Sequence, residues 1–146
     1  MMRVYLDTSV YNRLYDDQSQ ARIYIETQAV LIILNLIESK QIESVNSSVL
    51  IYENKKNPFP LKQKAIELYL KKATFKQPVS ETIRQRAKQL ESEGIKPIDA
   101  LHVASFEASK SDYFITCDKR LLNRCQALAI PAINPIDLIE ELDNEN

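Results

Sequence analysis

The sequence predicts an α/β domain in which about four or five short strands form a mainly parallel sheet covered by helices on both faces. Short apolar runs rich in β-forming residues recur along the chain, and longer stretches with helical spacing separate them. Hydrophobic residues make up 45% of the chain and charged residues 27%, which is typical of globular proteins. The 146 residues suit one domain, which we expect to span residues 1–146.

The predicted strands are apolar runs bounded by polar or turn-forming residues. The first opens the chain and ends before Asp7, and the last apolar run covers residues 129–133. Residues 42–46 and 113–116 have the same character, whereas residues 74–78 suit either a brief strand or an extended link. Because helices separate these runs, we expect neighbouring strands to be parallel.

The predicted helices are marked by apolar residues at helical spacing and by residues that favour helix ends. Ser80 and Asp118 are good N-caps. Pro97 suits a first helical position, and Gly94 suits the left-handed position that follows a helix. The predicted helical stretches are residues 10–15, 20–40, 47–56, 61–72, 80–94, 97–108 and 118–128, then a short helix after Pro135 that leads to an acidic tail at residues 140–146.

Two residue types are scarce enough to exclude whole classes of site. Gly94 is the only glycine, which excludes the phosphate-binding loops of dinucleotide-binding folds and P-loop NTPases, because both need several glycines. His102 is the only histidine, which excludes histidine-rich zinc sites and mechanisms that need two imidazoles. Carboxylates remain as the chemically useful groups, and their usual companions are hard cations such as Mg²⁺ or Mn²⁺.

The cysteines and the hydropathy pattern favour a reduced protein without a membrane span. Cys117 and Cys125 lie on one predicted helix at a separation too large for a disulfide. The longest apolar run, residues 29–37, is too short to span a bilayer, and no cationic leader precedes it. We therefore expect a cytoplasmic protein with no membrane partner. The net charge of −1 neither requires nor excludes nucleic-acid binding.

Four acidic residues stand out, although each has a purely structural explanation. Asp7 and Asp118 each follow a predicted strand and could simply cap the next helix. Asp99 lies in the first turn of a helix, where the dipole favours negative charge, and Glu53 could be a solvated helix acid. In a parallel sheet, however, Asp7 and Asp118 emerge at the same edge. Acids that converge there would repel one another unless a divalent cation neutralised them.

Four short stretches carry a resemblance to a known family: residues 4–9, 48–53, 98–104 and 114–121. In their order, spacing and structural context, the chain resembles the PIN-domain ribonucleases, and among them the VapC-like toxins of toxin–antitoxin pairs. The resemblance extends from about residue 2 to residue 142. It implies a three-layer α/β/α PIN-like fold and hydrolysis of RNA phosphodiester bonds with Mg²⁺ or Mn²⁺ as the cofactor. It also implies a cognate antitoxin as partner, and a homodimer.

The resemblance assigns residues to the site. The cation would polarise the phosphate and activate a bound water, which Asp99 or Asp118 would orient or deprotonate. The segment around Glu53 varies most within the family, so Asn54 and Glu43 are its alternatives. The acids implied in metal binding and catalysis are Asp7, Glu53, Asp99 and Asp118, and the supporting hydroxyls are Ser9 and Thr116.

Other polar residues near these stretches have two interpretations each. His102 follows Asp99 by about one helical turn, and a buried, hydrogen-bonded histidine is favoured over a general base. Basic side chains could contact an RNA backbone or be ordinary solvated surface. The basic residues concerned are Arg13, Lys119 and Arg120, together with Lys55, Lys56 and Arg124.

Competing functions fit the sequence less well. A haloacid-dehalogenase-like phosphatase needs a second Asp two positions after the first, where this chain has Ser9. A receiver domain needs an acidic pair near the first strand and a central Asp with a Lys partner, and this layout is missing. The remaining alternative is a PIN-like binding or scaffold protein without catalytic activity.

Overall fold

The computed structural model describes residues 1–144, in which each strand is followed by one or two helices. The strands are β1 (Arg3–Leu6), β2 (Glu43–Ser47), β3 (Phe75–Gln77), β4 (Tyr113–Ile115) and β5 (Ala132–Ile133). The helices are α1 (Thr8–Arg13), α2 (Ala21–Glu38), α3 (Ser48–Lys55), α4 (Pro60–Lys71), α5 (Glu81–Ser92), α6 (Pro97–Ala108), α7 (Lys119–Ala127) and α8 (Pro135–Asn144).

The strands form one sheet in the order β3-β2-β1-β4-β5, and every neighbouring pair is parallel. In the central strand β1, the successive residues Val4, Tyr5 and Leu6 are all fully buried. Successive side chains of a strand point to opposite faces, so both faces of the sheet are covered by helices. The predicted three-layer α/β/α fold is therefore confirmed, and residues 74–78 contain a strand rather than a link.

Polar residues at the strand ends start the following helices. Ser47 accepts a hydrogen bond from the N–H of Leu50 at the start of α3, and Ser80 accepts one from the N–H of Ile83 at the start of α5. Gly94 follows α5 with φ of 100°, the left-handed region expected after a helix. A Cβ built there would lie 2.6 Å from the guanidinium of Arg124, so this glycine also allows a close approach.

Two expectations from the sequence are wrong. Residues 140–144 are not a tail but the last turns of α8, because Ile139 and Leu142 pack against the hydrophobic core. Residues 145–146 lie outside the described part of the chain. Cys117 is not helical: it lies between β4 and α7, whereas Cys125 lies within α7. Both cysteines are buried and unbridged, as expected. No described helix combines the length and the apolar character needed to cross a bilayer.

Candidate functional site at the carboxyl edge of the sheet

The register of β1 and β4 brings Asp7 and Asp118 to the same edge of the sheet. Leu6 pairs with Ile115, and the N–H of Asp7 donates to the carbonyl of Ile115 at 3.1 Å. Each aspartate then caps the next helix: Asp7 accepts from the N–H of Val10, and Asp118 accepts through Oδ1 from the first turn of α7. Both features predicted for these residues are therefore present: Asp7 and Asp118 lie at the same edge of the sheet, and each also caps a helix.

Ser9 and Thr116 connect the two aspartate loops. Ser9 Oγ donates to Asp7 Oδ1 and accepts from the N–H of Cys117 at 2.9 Å. It lies 3.3 Å from Thr116 Oγ1, which accepts from the N–H of Asp118 at 3.0 Å. These hydroxyls hold the loop after β1 and the loop after β4 in a fixed relation.

Glu53, on α3, is held by two hydrogen-bond donors. Thr8 Oγ1 donates to Glu53 Oε1 at 2.6 Å, and His102 Nε2 bonds to the same oxygen. The other ring nitrogen of His102 lies 2.7 Å from the hydroxyl of Tyr5, which lies 2.7 Å from Ser47 Oγ. Burial opposes ionisation of Glu53, but the bonds from His102 and Thr8 outweigh it and lower the pKa of this carboxyl below its usual value.

The alternatives to Glu53 are placed less favourably. Glu43 begins β2, at the opposite edge of the sheet, and pairs with Arg3 at 3.0 Å. The side-chain amide of Asn54 donates to the carbonyl of Gln63, and the amide of Gln63 donates back to the carbonyl of Asn54. Asn54 thus connects α3 to α4, so among the three residues only Glu53 faces the other acids.

Asp99 lies in the first turn of α6, where the negative charges of the other acids affect its pKa. Burial, followed by the negative charges of Asp7, Asp118 and Glu53, raises its pKa to about 6 against the opposing effect of His102. The pKa of Asp7 is also raised, chiefly because its carboxyl is buried, although the bond from Ser9 opposes the shift. Negative charge is thus concentrated at this edge of the sheet.

The chemistry of these donors fits a hard divalent cation. The four acids offer oxygen ligands, and the only imidazole, His102, is engaged with Glu53 and Tyr5. Within residues 1–144, no three carboxylate, imidazole or thiolate side chains are already close enough to chelate an ion. Mg²⁺ commonly binds through one or two carboxylates and keeps several waters, so a closed protein cage is not required.

The basic residues predicted near the site differ in their surroundings. Arg13 is largely buried and pairs with Asp16 at 2.8 Å and with the buried Glu26 at 3.2 Å. Its charge is therefore used within the fold. Lys119 and Arg120, by contrast, are exposed in the first turn of α7, directly after Asp118.

Sequence patterns did not reveal the partners of Glu53 or the residues that surround it. Tyr5 and His102 are far apart in the chain, and their pairing depends on how α6 packs over β1. A cavity of about 400 Å³ next to Glu53 is lined in part by Phe59, from a Pro-rich break in the sequence, and by Lys62, from the helix that follows it. The order of residues around a motif does not predict such lining.

Comparisons with known proteins agree with this architecture. The PIN domain family matches residues 4–126. A chain of VapBC2 from Rickettsia felis, in a crystal structure bound to a DNA fragment from their promoter, superposes with a TM-score of 0.53 and 17% identity, over 91% of this chain and 98% of that chain. PAE2754 from Pyrobaculum aerophilum superposes with a TM-score of 0.52 and 17% identity, over 98% of this chain and 90% of that one.

At 17% identity, these two likenesses concern the fold. No curated protein sequence is similar enough to count as a relative. The family match, in contrast, runs from β1 into α7 and includes all four acidic residues. The chain therefore belongs to the PIN-domain family.

Proposed function

We propose that this protein is a metal-dependent endoribonuclease that hydrolyses phosphodiester bonds of RNA. One observation supports the proposal above the others: Asp7 and Asp118 lie at the same edge of the sheet, and their charges, with burial and the charge of Glu53, raise the pKa of Asp99 to about 6. Keeping four acids near one another costs free energy unless a cation or a protonation event compensates it. Carboxyl groups with strongly shifted pKa values at one edge of a sheet are typical of functional sites.

In this proposal, Asp7, Asp99 and Asp118 hold Mg²⁺ or Mn²⁺, with Glu53 as the fourth acid. When bound, the ion would polarise the phosphate and lower the pKa of a bound water. Asp99 or Asp118 orients the attacking water or accepts its proton. Ser9 and Thr116 keep Asp7 and Asp118 at a fixed separation.

The relative positions of the charges support the assignment of RNA contacts. Lys119 and Arg120 are exposed beside Asp118, where they could bind phosphates on either side of the cleaved bond. We leave Arg13 out of the RNA contacts, because its guanidinium is engaged by Asp16 and Glu26.

We further propose that the nuclease is the toxin of a toxin–antitoxin pair, acts in the cytoplasm, forms a homodimer and is neutralised by a cognate antitoxin. Membership of the PIN-domain family and the likeness in fold to a chain of VapBC2 support this step. Induction of the gene should arrest growth, and co-expression of the protein encoded next to it should restore growth. Growth unaffected by induction would argue against the toxin role while leaving the nuclease chemistry open to its own test.

The test of the nuclease is incubation with total or transfer RNA, with Mn²⁺ or with chelator. Wild type should give discrete products that are lost with chelator and lost in Asp99→Asn. Glu91→Gln is the matched control, because Glu91 is an exposed acid on α5 outside the site. Cleavage by Asp99→Asn at the wild-type rate would contradict the assignment of Asp99.

A scaffold role without catalysis is the second candidate, and one observation favours it. Asp7 and Asp118 cap helices, and Glu53 is bound by Thr8 and His102, so three of the acids have structural uses. Metal binding without cleavage of any RNA would support this candidate.

A further inference from the structure

The two oxygens of the Glu53 carboxylate have different surroundings. Oε1 accepts a hydrogen bond from Thr8 Oγ1 at 2.6 Å and a second one from His102 Nε2. Among residues 1–144, Oε2 has no hydrogen-bond partner, and it is not fully buried. The side chain of Glu53 is 31% exposed and lines the cavity beside it. Oε2 is therefore the oxygen that a small ion or a water can reach.

The two donors use up the capacity of Oε1 as an acceptor. An oxygen of an ionised carboxylate has two lone pairs, and an O–H and an N–H each occupy one of them. A metal ion would have to displace Thr8 or His102 in order to bind Oε1. Glu53 can therefore offer a cation only Oε2, either directly or through a bound water.

The His102 donor is held rigidly by the central strand. Its ring meets the ring of Tyr5 edge to face, with centroids 5.8 Å apart and planes at 72°, and its Nδ1 lies 2.7 Å from the Tyr5 hydroxyl. Tyr5 is fully buried and stacks on Phe114 of the neighbouring strand, with centroids 5.6 Å apart. The His102 side chain is 2% exposed, so its Nε2 has little freedom to turn away from Glu53. Hydrogen-bond partners of this kind orient the ligands of metal sites.

We infer that Thr8 and His102 are positioning residues that limit Glu53 to one ligand oxygen and thereby make the acidic site select Mg²⁺ or Mn²⁺ over Ca²⁺. Mg²⁺ requires a strict octahedral arrangement and keeps several waters, so single carboxylate oxygens suit it. Ca²⁺ takes more oxygen ligands and commonly binds both oxygens of one carboxylate. With Oε1 already engaged, Glu53 cannot supply the second oxygen. The inference rests on the proposed metal site and adds to it the choice of ion.

A purely structural role of the two hydrogen bonds is the competing explanation. Glu53 is partly buried, and the bonds from Thr8 and His102 would stabilise its carboxylate whether or not a metal binds. In that case, removing a donor would change the stability of the fold or weaken the binding of every ion alike. It would not change the ratio of the affinities for Mn²⁺ and Ca²⁺.

The test measures the dissociation constants of Mn²⁺ and Ca²⁺ for the full chain. Electron paramagnetic resonance reports free Mn²⁺, and displacement of bound Mn²⁺ by added Ca²⁺ gives the second constant. Thr8→Val removes one donor with little change of shape, and it should weaken Mn²⁺ binding about tenfold, because Glu53 is less well oriented. Ca²⁺ affinity should stay the same or rise, because Oε1 regains a lone pair for the ion. The preference for Mn²⁺ over Ca²⁺ should thus fall about tenfold or more.

The controls separate the donor function from general effects on the fold. Thr8→Ser should keep the wild-type ratio, because it retains the hydroxyl. Thr27→Val is the matched control, because Thr27 is buried on α2 and donates to the carbonyl of Arg13 at 3.1 Å, outside the acidic site. It should lower stability and leave the ratio unchanged. His102→Leu removes the other donor and should shift the ratio in the same direction as Thr8→Val, whereas His102→Gln, which retains an N–H donor, should shift it less.

The outcomes distinguish this inference from the nuclease itself. If Thr8→Val has the wild-type ratio of the two constants while wild type binds Mn²⁺ and cleaves RNA, the inference on ion selection is wrong and the nuclease stands. If Glu53→Gln binds Mn²⁺ as tightly as wild type, Glu53 is not a ligand, and the inference falls together with that assignment alone. If wild type does not bind Mn²⁺, both proposals fall.

Discussion

His102 Nε2 donates a hydrogen bond to Glu53 Oε1, since a carboxylate oxygen can only accept. In a neutral ring, Nδ1 then accepts from the hydroxyl of Tyr5, and Ser47 Oγ donates to the oxygen of that hydroxyl. Ser47 Oγ in turn accepts from the N–H of Leu50. A directional chain of hydrogen bonds therefore runs from the start of α3, through β1 and α6, and back to α3 at Glu53.

Removing the Tyr5 hydroxyl should break this chain at its buried midpoint. Tyr5→Phe leaves His102 Nδ1 and Ser47 Oγ with one partner fewer inside the protein, so the free energy of unfolding should fall by about 1 to 3 kcal/mol. Urea denaturation measures the change. Tyr24→Phe is the control, because Tyr24 is 52% exposed, and it should have the stability of wild type. Equal stability of the two variants would show that the chain contributes nothing.

The raised pKa of Asp99 predicts how stability depends on pH without metal. The folded protein holds the proton of Asp99 up to about pH 6, whereas the unfolded chain releases it near the ordinary pKa of 3.8 for this carboxyl. The contribution of Asp99 to stability is thus fully present below about pH 4 and is lost as the pH rises through 6. After allowance for the partial exposure of this carboxyl, the loss is about 1 kcal/mol.

Asp99→Asn removes this titration. The free energy of unfolding of the variant should therefore rise relative to that of wild type, by this amount, between pH 4 and pH 7. Urea denaturation of both proteins in chelator measures the difference at each pH. A constant difference across this range would mean that the pKa of Asp99 is not raised.

Added metal should stabilise the folded protein through the same residue, Asp99, whose ionisation destabilises the protein without metal. Saturating Mn²⁺ or Mg²⁺ should raise the melting temperature of wild type by about 5 °C or more, because it binds only the folded protein. The gain should shrink as the pH falls through 6 and Asp99 takes up its proton. Asp7→Asn combined with Asp99→Asn should abolish the gain, and Asn at position 7 still serves as a helix cap. Glu91→Gln should keep it in full.

Arg13 and Lys119 should separate stability from RNA affinity. Arg13→Gln leaves the buried Glu26 carboxylate with only Arg22 and Asn134 as partners, which should lower the free energy of unfolding by about 1 to 3 kcal/mol. Lys119→Gln should leave stability unchanged and reduce only the affinity for RNA, because its side chain is exposed. Thermal denaturation and RNA anisotropy on both variants test this. An Arg13→Gln protein of full stability and weakened RNA binding would reassign Arg13 to the substrate.

Local signals explain why so much of the fold could be predicted from sequence. Ser80, Pro97 and Asp118 mark helix starts through their own backbone chemistry, and the structure has α5, α6 and α7 begin directly after Ser80, at Pro97 and directly after Asp118. The shared edge of Asp7 and Asp118 also followed, because parallel pairing of their strands leaves no other arrangement. Each of these inferences needs only neighbours in the chain or one rule of sheet topology.

The features that escaped prediction depend on contacts between distant segments. In the sequence, the acidic stretch 140–144 looks like a solvated tail. It belongs to α8, however, because Ile139 and Leu142 pack on the core. His102 was expected to be buried and bonded, which is confirmed, but nothing in the sequence names Tyr5 and Glu53 as its partners. The lining of the cavity next to Glu53 is of the same kind.

The double use of Asp7 and Asp118 as helix caps affects how relatives of this chain should be compared. A descendant that lost catalysis would still be selected to keep an aspartate or asparagine at both positions, because each satisfies backbone N–H groups at a helix start. Asp99 has no such cap to maintain, and its ionised form is penalised in the folded protein. In relatives that lose catalysis, the acid at position 99 should therefore be replaced first. The residue at this position thus distinguishes active from inactive family members best.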